Sequence, residues 1–193
     1  AGVYLGLLAL YDAEADRTWT ELTWSPDTET WHRVSAGTPL IPNGDEEGAY
    51  DWGCVYAAAT PVFFEDEVRL YYGSSDGYHF GWRNGFLCLA TLRPDGFAGY
   101  EQQDNGRPAV VTTGSIAVRA GVLAVSADVA TSGHVEVTVL DGESAPVAVS
   151  ERIAATVTDA EVRWRNGYSL ATGSDIRLRF ELSGAKLYSF SFI

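Results

Sequence analysis

The chain has 193 residues, 46% of them hydrophobic and 20% charged. An apolar fraction near half, with 6 Trp, 10 Tyr and 8 Phe, offsets chain entropy and excludes a disordered chain. Thirteen Lys and Arg against 26 Asp and Glu give a net charge of −13. That field repels phosphate backbones, so nucleic acid is not expected as a partner; neutral substrates or cations suit it better.

Apolar runs such as residues 55–59 fall far short of the roughly 20 residues that a bilayer span needs, so no membrane partner is expected. Residues 1–11 are apolar but lack the basic start and small-residue cleavage site of a signal peptide, which leaves extracellular and cytoplasmic locations both open. The chain starts at Ala and contains no Met, which predicts a processed or truncated product.

In chain order, alternation with β-branched and aromatic residues predicts strands at 3–11, 19–24, 55–64, 68–73 and 86–92. The pattern returns at 110–113, 122–127, 134–140, 160–164, 176–182 and 186–192. Turn chemistry separates these runs, at Asp27-Thr28-Glu29, Phe64-Glu65-Asp66-Glu67, Pro94-Asp95-Gly96, Leu140-Asp141-Gly142, Arg165-Asn166-Gly167 and Ser183-Gly184-Ala185. No segment holds an apolar 3.6-residue period for three turns, so the expected class is all-β. Residues 1–104 contain every Trp except Trp164, whereas 105–193 are rich in Val, Ala, Ser and Thr. Two domains are expected with those bounds, joined by a polar linker at 101–108.

An internal repeat organises the first part. Strand, loop and strand lead to Ser25-Pro26-Asp27 and Trp31, and the same order leads to Arg93-Pro94-Asp95-Gly96-Phe97. Such spacing predicts four-stranded propeller blades, with 55–64, 68–73, 86–92 and the chain after Phe97 as strands one to four of one blade. Residues 3–11, 19–24 and 31–34 would be strands two to four of the blade before it. Cys54 and Cys88 then lie two strand spacings apart, about 9.6 Å. A disulfide tolerates at most about 7 Å between Cα atoms, so two free, buried thiols are predicted. Their spacing gives no metal signature, and no cofactor motif appears.

Several segments carry a family resemblance. Ser25-Pro26-Asp27-Thr28-Glu29-Thr30-Trp31-His32-Arg33 resembles a turn related to sialidase Asp boxes, with Glu29 taken as the counterpart of the glycine. Tyr50-Asp51-Trp52-Gly53-Cys54-Val55-Tyr56, the stretch from Leu70 to His79, and Leu89–Phe97 are similar to segments of five-bladed propeller glycoside hydrolases of the family 32/43-like group. The tail from Trp164 to Phe190 is similar to the β-sandwich appended to such propellers. The resemblance implies an all-β chain of incomplete propeller blades followed by a sandwich. It also implies a parent acting on carbohydrate whose acid–base pair lies in earlier blades, so that this chain alone is catalytically incomplete.

The chemistry expected on that basis gathers at one rim. Asp51 precedes an inner strand, and the 76–84 loop joins the next two, so Asp51, Asp76, His79 and Arg83 should converge with the aromatic faces of Trp52, Tyr78 and Trp82. Asp51 is the candidate catalytic carboxylate and the others candidate substrate-binding residues; no partner Glu is found. Glycoside cleavage needs two carboxyl groups roughly 5–9.5 Å apart. Asp51 can equally serve by accepting backbone N–H bonds at a strand entrance. Asp27 and Asp95 read as turn formers, Trp19, Trp24 and Trp31 as core and blade-packing residues, and His32 and His134 as structural. Asp45-Glu46-Glu47 reads as a solvated charge run rather than a calcium loop. The competing reading is a stand-alone carbohydrate-binding or structural β module. Open blade edges would also invite self-association.

Overall fold

The computed structural model describes residues 2–104 and 106–193. The chain divides into two compact units, Ala1–Phe97 and Ala98–Ile193. Both are built of strands, with only the 3-10 turn Arg165–Gly167 as helix among the described residues. The all-β expectation holds.

The first unit contains β1 (Tyr4–Asp12), β2 (Arg17–Ser25), β3 (His32–Arg33), β4 (Cys54–Ala57), β5 (Val62–Phe63), β6 (Val68–Ser75) and β7 (Gly85–Leu92). β2 pairs antiparallel with β1 and β3; β6 pairs antiparallel with β4, β5 and β7. A single parallel pairing, Thr18 with Cys54, joins the two groups into one open seven-stranded sheet. The expected strand 55–64 is broken, because Ala58, Thr60 and Pro61 interrupt the ladder and Pro has no N–H to donate.

Alternation assigns the faces of this sheet. Val55, Val68, Leu70 and Tyr72 share one face and form the buried core with Ile41; Cys88, Ala90 and Leu92 of β7 lie against them. Cys54 on β4 and Cys88 on β7 are separated by β6 and are free thiols, Cys54 fully buried and Cys88 half-buried.

The turn after β2 is set by side-chain bonds. Ser25 Oγ accepts from the N–H of Thr28 at 2.8 Å, and Asp27 Oδ1 accepts from Glu29 and Thr30 at 2.9 and 2.8 Å. The left-handed residue is Thr28 (φ 70°), not Glu29. Trp24 and Trp31 are not core residues, standing 36% and 46% exposed; Trp31 lies over Gly6, where a Cβ would come within 2.8 Å of its ring.

The second unit contains β8 (Tyr100–Glu101), β9 (Ala109–Thr112), β10 (Ile116–Ala117), β11 (Leu123–Leu140), β12 (Pro146–Val149), β13 (Val157–Glu161) and β14 (Asp175–Phe192). The 18-residue strands β11 and β14 pair along their length; β12 and β13 flank β11, while β8, β9 and β10 flank β14. Two expected pairs of short strands are therefore two long bent ones. Ser183-Gly184-Ala185 is no turn: at a bulge between Val129 and His134, Gly133 and Gly184 pass so close that a Cβ on Gly133 would meet the Gly184 carbonyl oxygen at 2.4 Å. The core lies on the inner face of this pair, with Val125, Val135, Val137, Val139, Leu178, Phe180 and Leu182 buried.

One expectation about the junction is corrected. Tyr100 and Glu101 pair with Leu187 and Lys186 of β14, so the chain after Phe97 supplies no fourth strand beside β7. The division between the two units falls at Phe97/Ala98, ahead of the stretch 101–108. Asn105, within that stretch, lies outside the described residues.

Candidate functional site

The candidate residues gather at one end of the first sheet because three loops meet there. The β1–β2 hairpin turns on Asp12, whose Oδ1 accepts from the N–H groups of Glu14 and Ala15 at 2.9 and 3.1 Å. This brings Asp16 to the hairpin tip. Its carbonyl accepts from the N–H of His79 at 2.7 Å, its Oδ2 from the N–H of Phe80 at 3.2 Å, and its Oδ1 from the Tyr11 hydroxyl at 2.9 Å. Asp16 thus ties the 76–84 loop to the hairpin. Nothing in the spacing of the sequence marked it.

The 76–84 loop is closed from within. Asp76 Oδ1 accepts from the backbone N–H of Asn84 at 2.9 Å and Oδ2 from its side-chain amide at 2.6 Å. The side-chain bond is the larger cause holding the Asp76 carboxyl below its ordinary value. Arg83 donates to the carbonyl of His79 across the same loop. Gly53 passes under the loop start so closely that a Cβ there would collide with the Gly77 backbone.

Asp51 is held from the strand side. Its Oδ2 accepts from the Tyr72 hydroxyl at 3.2 Å, and its Oδ1 approaches Gly44. Desolvation, reinforced by the Asp51 charge, pushes the Tyr72 phenol well above its usual value. Asn43 fastens the segment by donating to the carbonyls of Thr18, Asp51 and Gly53. Both candidate carboxylates therefore carry structural bonds.

The aromatic residues separate into two groups. Trp52 meets Tyr78 edge-to-face with centroids 5.1 Å apart, and the Arg17 guanidinium lies over the Trp52 ring at 4.5 Å while its Nε donates to the Trp52 carbonyl at 2.8 Å. His79 belongs to a different cluster. Its ring lies 4.9 Å from both Tyr11 and Phe80, and its Nδ1 is 2.7 Å from the Tyr56 hydroxyl. Burial raises the Tyr56 phenol above its ordinary value. Trp82 stands apart, 93% exposed. It lines an open groove of about 610 Å³ with Cys54, Tyr56, Gly73, Arg83 and Leu87.

Among the candidates, Trp52 is brought against Tyr78 and Arg83 against His79, whereas the Asp51 carboxylate is bonded to Tyr72 and that of Asp76 to Asn84. Sequence reasoning missed Asp16, Arg17, Asn43 and Tyr56. Of these only Tyr56 carried a signal, as an aromatic next to the strand entrance. His32 lies against Trp24 with centroids 4.9 Å apart. His134 belongs to the second unit, where its Nε2 is buried without a hydrogen-bond partner among the described residues. No three His, Cys, Asp or Glu side chains converge to hold a metal among the described residues.

Comparison of the chain with family models, curated proteins and solved structures finds no match.

Proposed function

We propose that the first unit binds neutral carbohydrate without cleaving it, as part of a propeller-type protein resembling glycoside hydrolases of the family 32/43-like group. The observation that carries this reading is the edge-to-face Trp52–Tyr78 pair, in which Arg17 lies over the Trp52 ring and Tyr78, 48% exposed, offers the open aromatic face. Sugar C–H edges stack on such faces, and hydroxyls bond carboxylates and guanidinium groups.

Binding is favoured over cleavage because Asp51 and Asp76 are already bonded to Tyr72 and Asn84. The Asn84 bonds hold the Asp76 carboxyl below its ordinary value, the opposite of what a general acid needs. A neutral ligand is favoured because fifteen acidic and only five basic residues lie in Ala1–Phe97. On the propeller reading, β1–β2–β3 and β4–β6–β7 are parts of two neighbouring blades and the second unit is the appended sandwich. Two antiparallel groups joined by one parallel pairing support it.

The test is calorimetric titration with a panel of neutral polysaccharides and oligosaccharides, alongside hydrolysis assays on aryl-glycosides and fructans. Binding that falls about tenfold or more in Tyr78→Ala, with no turnover, supports the reading; a lost stacking contact of about 1.5 kcal/mol gives that factor. Turnover abolished by Asp51→Asn would replace binding with catalysis. No binding by any member of the panel would leave the unit a structural module.

A further inference from the structure

The face of β4, β6 and β7 opposite the core is left uncovered around Gly73 and along β7, and its composition is unusual for this chain. Register places Tyr56, Arg69, Tyr71, Gly73, Leu87 and Leu89 on it. Ala1–Phe97 contains fifteen Asp and Glu, yet β4, β6 and β7 contain none. A solvated sheet face in so acidic a unit would be expected to share its carboxylates. Instead Leu87 stands 82% exposed, Leu89 46% and Tyr71 38%, with Trp82 beside them.

The face also has relief. Across the sheet, Tyr56, Gly73 and Leu87 form one row. Gly73 sits mid-strand, and a Cβ built on it would meet no atom within 4 Å. Glycine is unfavourable inside a strand and marks a place where something approaches the backbone closely. Here it leaves a recess with a projecting leucine directly beside it.

We propose that this face is a self-association surface, in which Leu87 of each copy enters the recess over Gly73 of the other across a two-fold axis. A protrusion next to a matching hollow is self-complementary under such an axis, which requires the same patch on both partners. No strand residue around Gly73 and Leu87 is acidic, and Glu67, at the far end of the face, is paired with Arg69, so two chains of net charge −13 approach where their repulsion is least. Tyr71, Trp82, Leu87 and Leu89 expose on the order of 500 Å² of side chain, at the upper end of the largest patches on monomers. A stable interface takes roughly 800 Å² per partner, so the two-fold contact extends from these side chains onto Arg83 and Phe86 of the same groove. The strand edges expected to associate are secondary to this face. The proposal does not depend on the carbohydrate reading, since Tyr78 and Trp52 take no part in it.

The experiment is sedimentation velocity on the full chain from about 1 to 100 µM, with Leu87→Glu and Gly73→Phe as variants and Val110→Glu, an exposed site of the second unit, as control. A dimer is expected for the wild type and the control. Each face variant should weaken it about a hundredfold or more, because two copies of the lost apolar contact are removed per dimer. Native-like near-ultraviolet circular dichroism is expected of both variants, since Leu87 is exposed and Gly73 has open space above it. If either variant unfolds, Leu87→Ser, which keeps the strand uncharged, takes its place with the same expected loss of dimer. A monomer at every concentration, or a dimer indifferent to the face substitutions, overturns the proposal.

Discussion

Replacing Glu21 by Gln tests whether a buried carboxylate organises the first unit. Glu21 is fully buried on β2, and every partner of its carboxylate is a donor. Arg33 donates through Nε and Nη2 at 2.8 Å each, Trp19 Nε1 at 3.0 Å and the Gly37 N–H at 2.9 Å. The Arg33 bond is the main cause holding the carboxyl at about 2 against an ordinary value of 4.5, with Trp19 and Gly37 adding to it and burial opposing. A carboxyl depressed in the folded state contributes stability above about pH 4.5, and this is lost as the pH falls toward 2. At about 1.4 kcal/mol per tenfold change in affinity for the proton, the ceiling is about 3 kcal/mol. Arg33 is 41% exposed, and solvent screening lowers this to about 2 kcal/mol.

Glu21→Gln keeps the shape but removes the charge and points an amide donor at other donors. We expect a loss of about 2–3 kcal/mol at pH 7. Urea unfolding followed by tryptophan fluorescence reads it, because five of the six tryptophans lie in Ala1–Phe97 and Trp19 touches Glu21 itself. The gap between wild type and variant should shrink by more than half between pH 6 and pH 2.5. A gap below about 0.5 kcal/mol at pH 7, or one constant across that range, refutes the assignment.

Gly133→Ala should destabilise the second unit by about 3 kcal/mol or more, read by urea unfolding, since its Cβ would strike backbone oxygens of Gly184 and Ser183 at 2.4 and 2.7 Å. Thr28→Gly should stabilise the first unit by about 1 kcal/mol in the same assay, because it relieves a β-branched residue at φ 70°. Asp76→Ala should speed amide exchange across 79–84 about tenfold without lowering the global unfolding midpoint, as it removes the two Asn84 bonds that close the loop. Thiol titration should modify Cys88 slowly in the native protein and Cys54 only after unfolding, with no mass change on reduction.

Strand patterning carried the class of the fold because period-2 alternation is local: β1, β2, β6 and β7 fall within two residues of the alternating runs. It failed where a tertiary contact overrides a local preference. Ser183-Gly184-Ala185 has turn composition, yet Gly184 is there so that Gly133 of the facing strand can pass close to it. Glycine serves a turn and a close approach for the same reason, the missing Cβ, and a sequence does not distinguish the two uses. Tyr100 and Glu101 illustrate the other limit. Tyr100 falls in the expected fourth blade strand and Glu101 in the expected linker, but pairing with Leu187 and Lys186 of β14 makes both a strand of the second unit.

The site was legible as a neighbourhood rather than as chemistry. Asp51, Asp76 and His79 could be placed near one another because each flanks a strand end, and strand ends on one side of a sheet stay together. Which atom claims each carboxylate depends on loop closure, and that hinges on Asn84 and Tyr72, whose spacing to Asp76 and Asp51 follows no motif. Asp16 makes the point most sharply. It is one of four residues in a hairpin loop with an ordinary acidic composition, yet it bonds Tyr11, His79 and Phe80 at once. Asp76 shows the chemical side of the same point: its Asn84 partners hold the carboxyl below its ordinary value, whereas a general acid must hold its proton until the reaction needs it. The two Asn84 bonds that close the 76–84 loop are therefore the same bonds that hold the Asp76 carboxyl below its ordinary value.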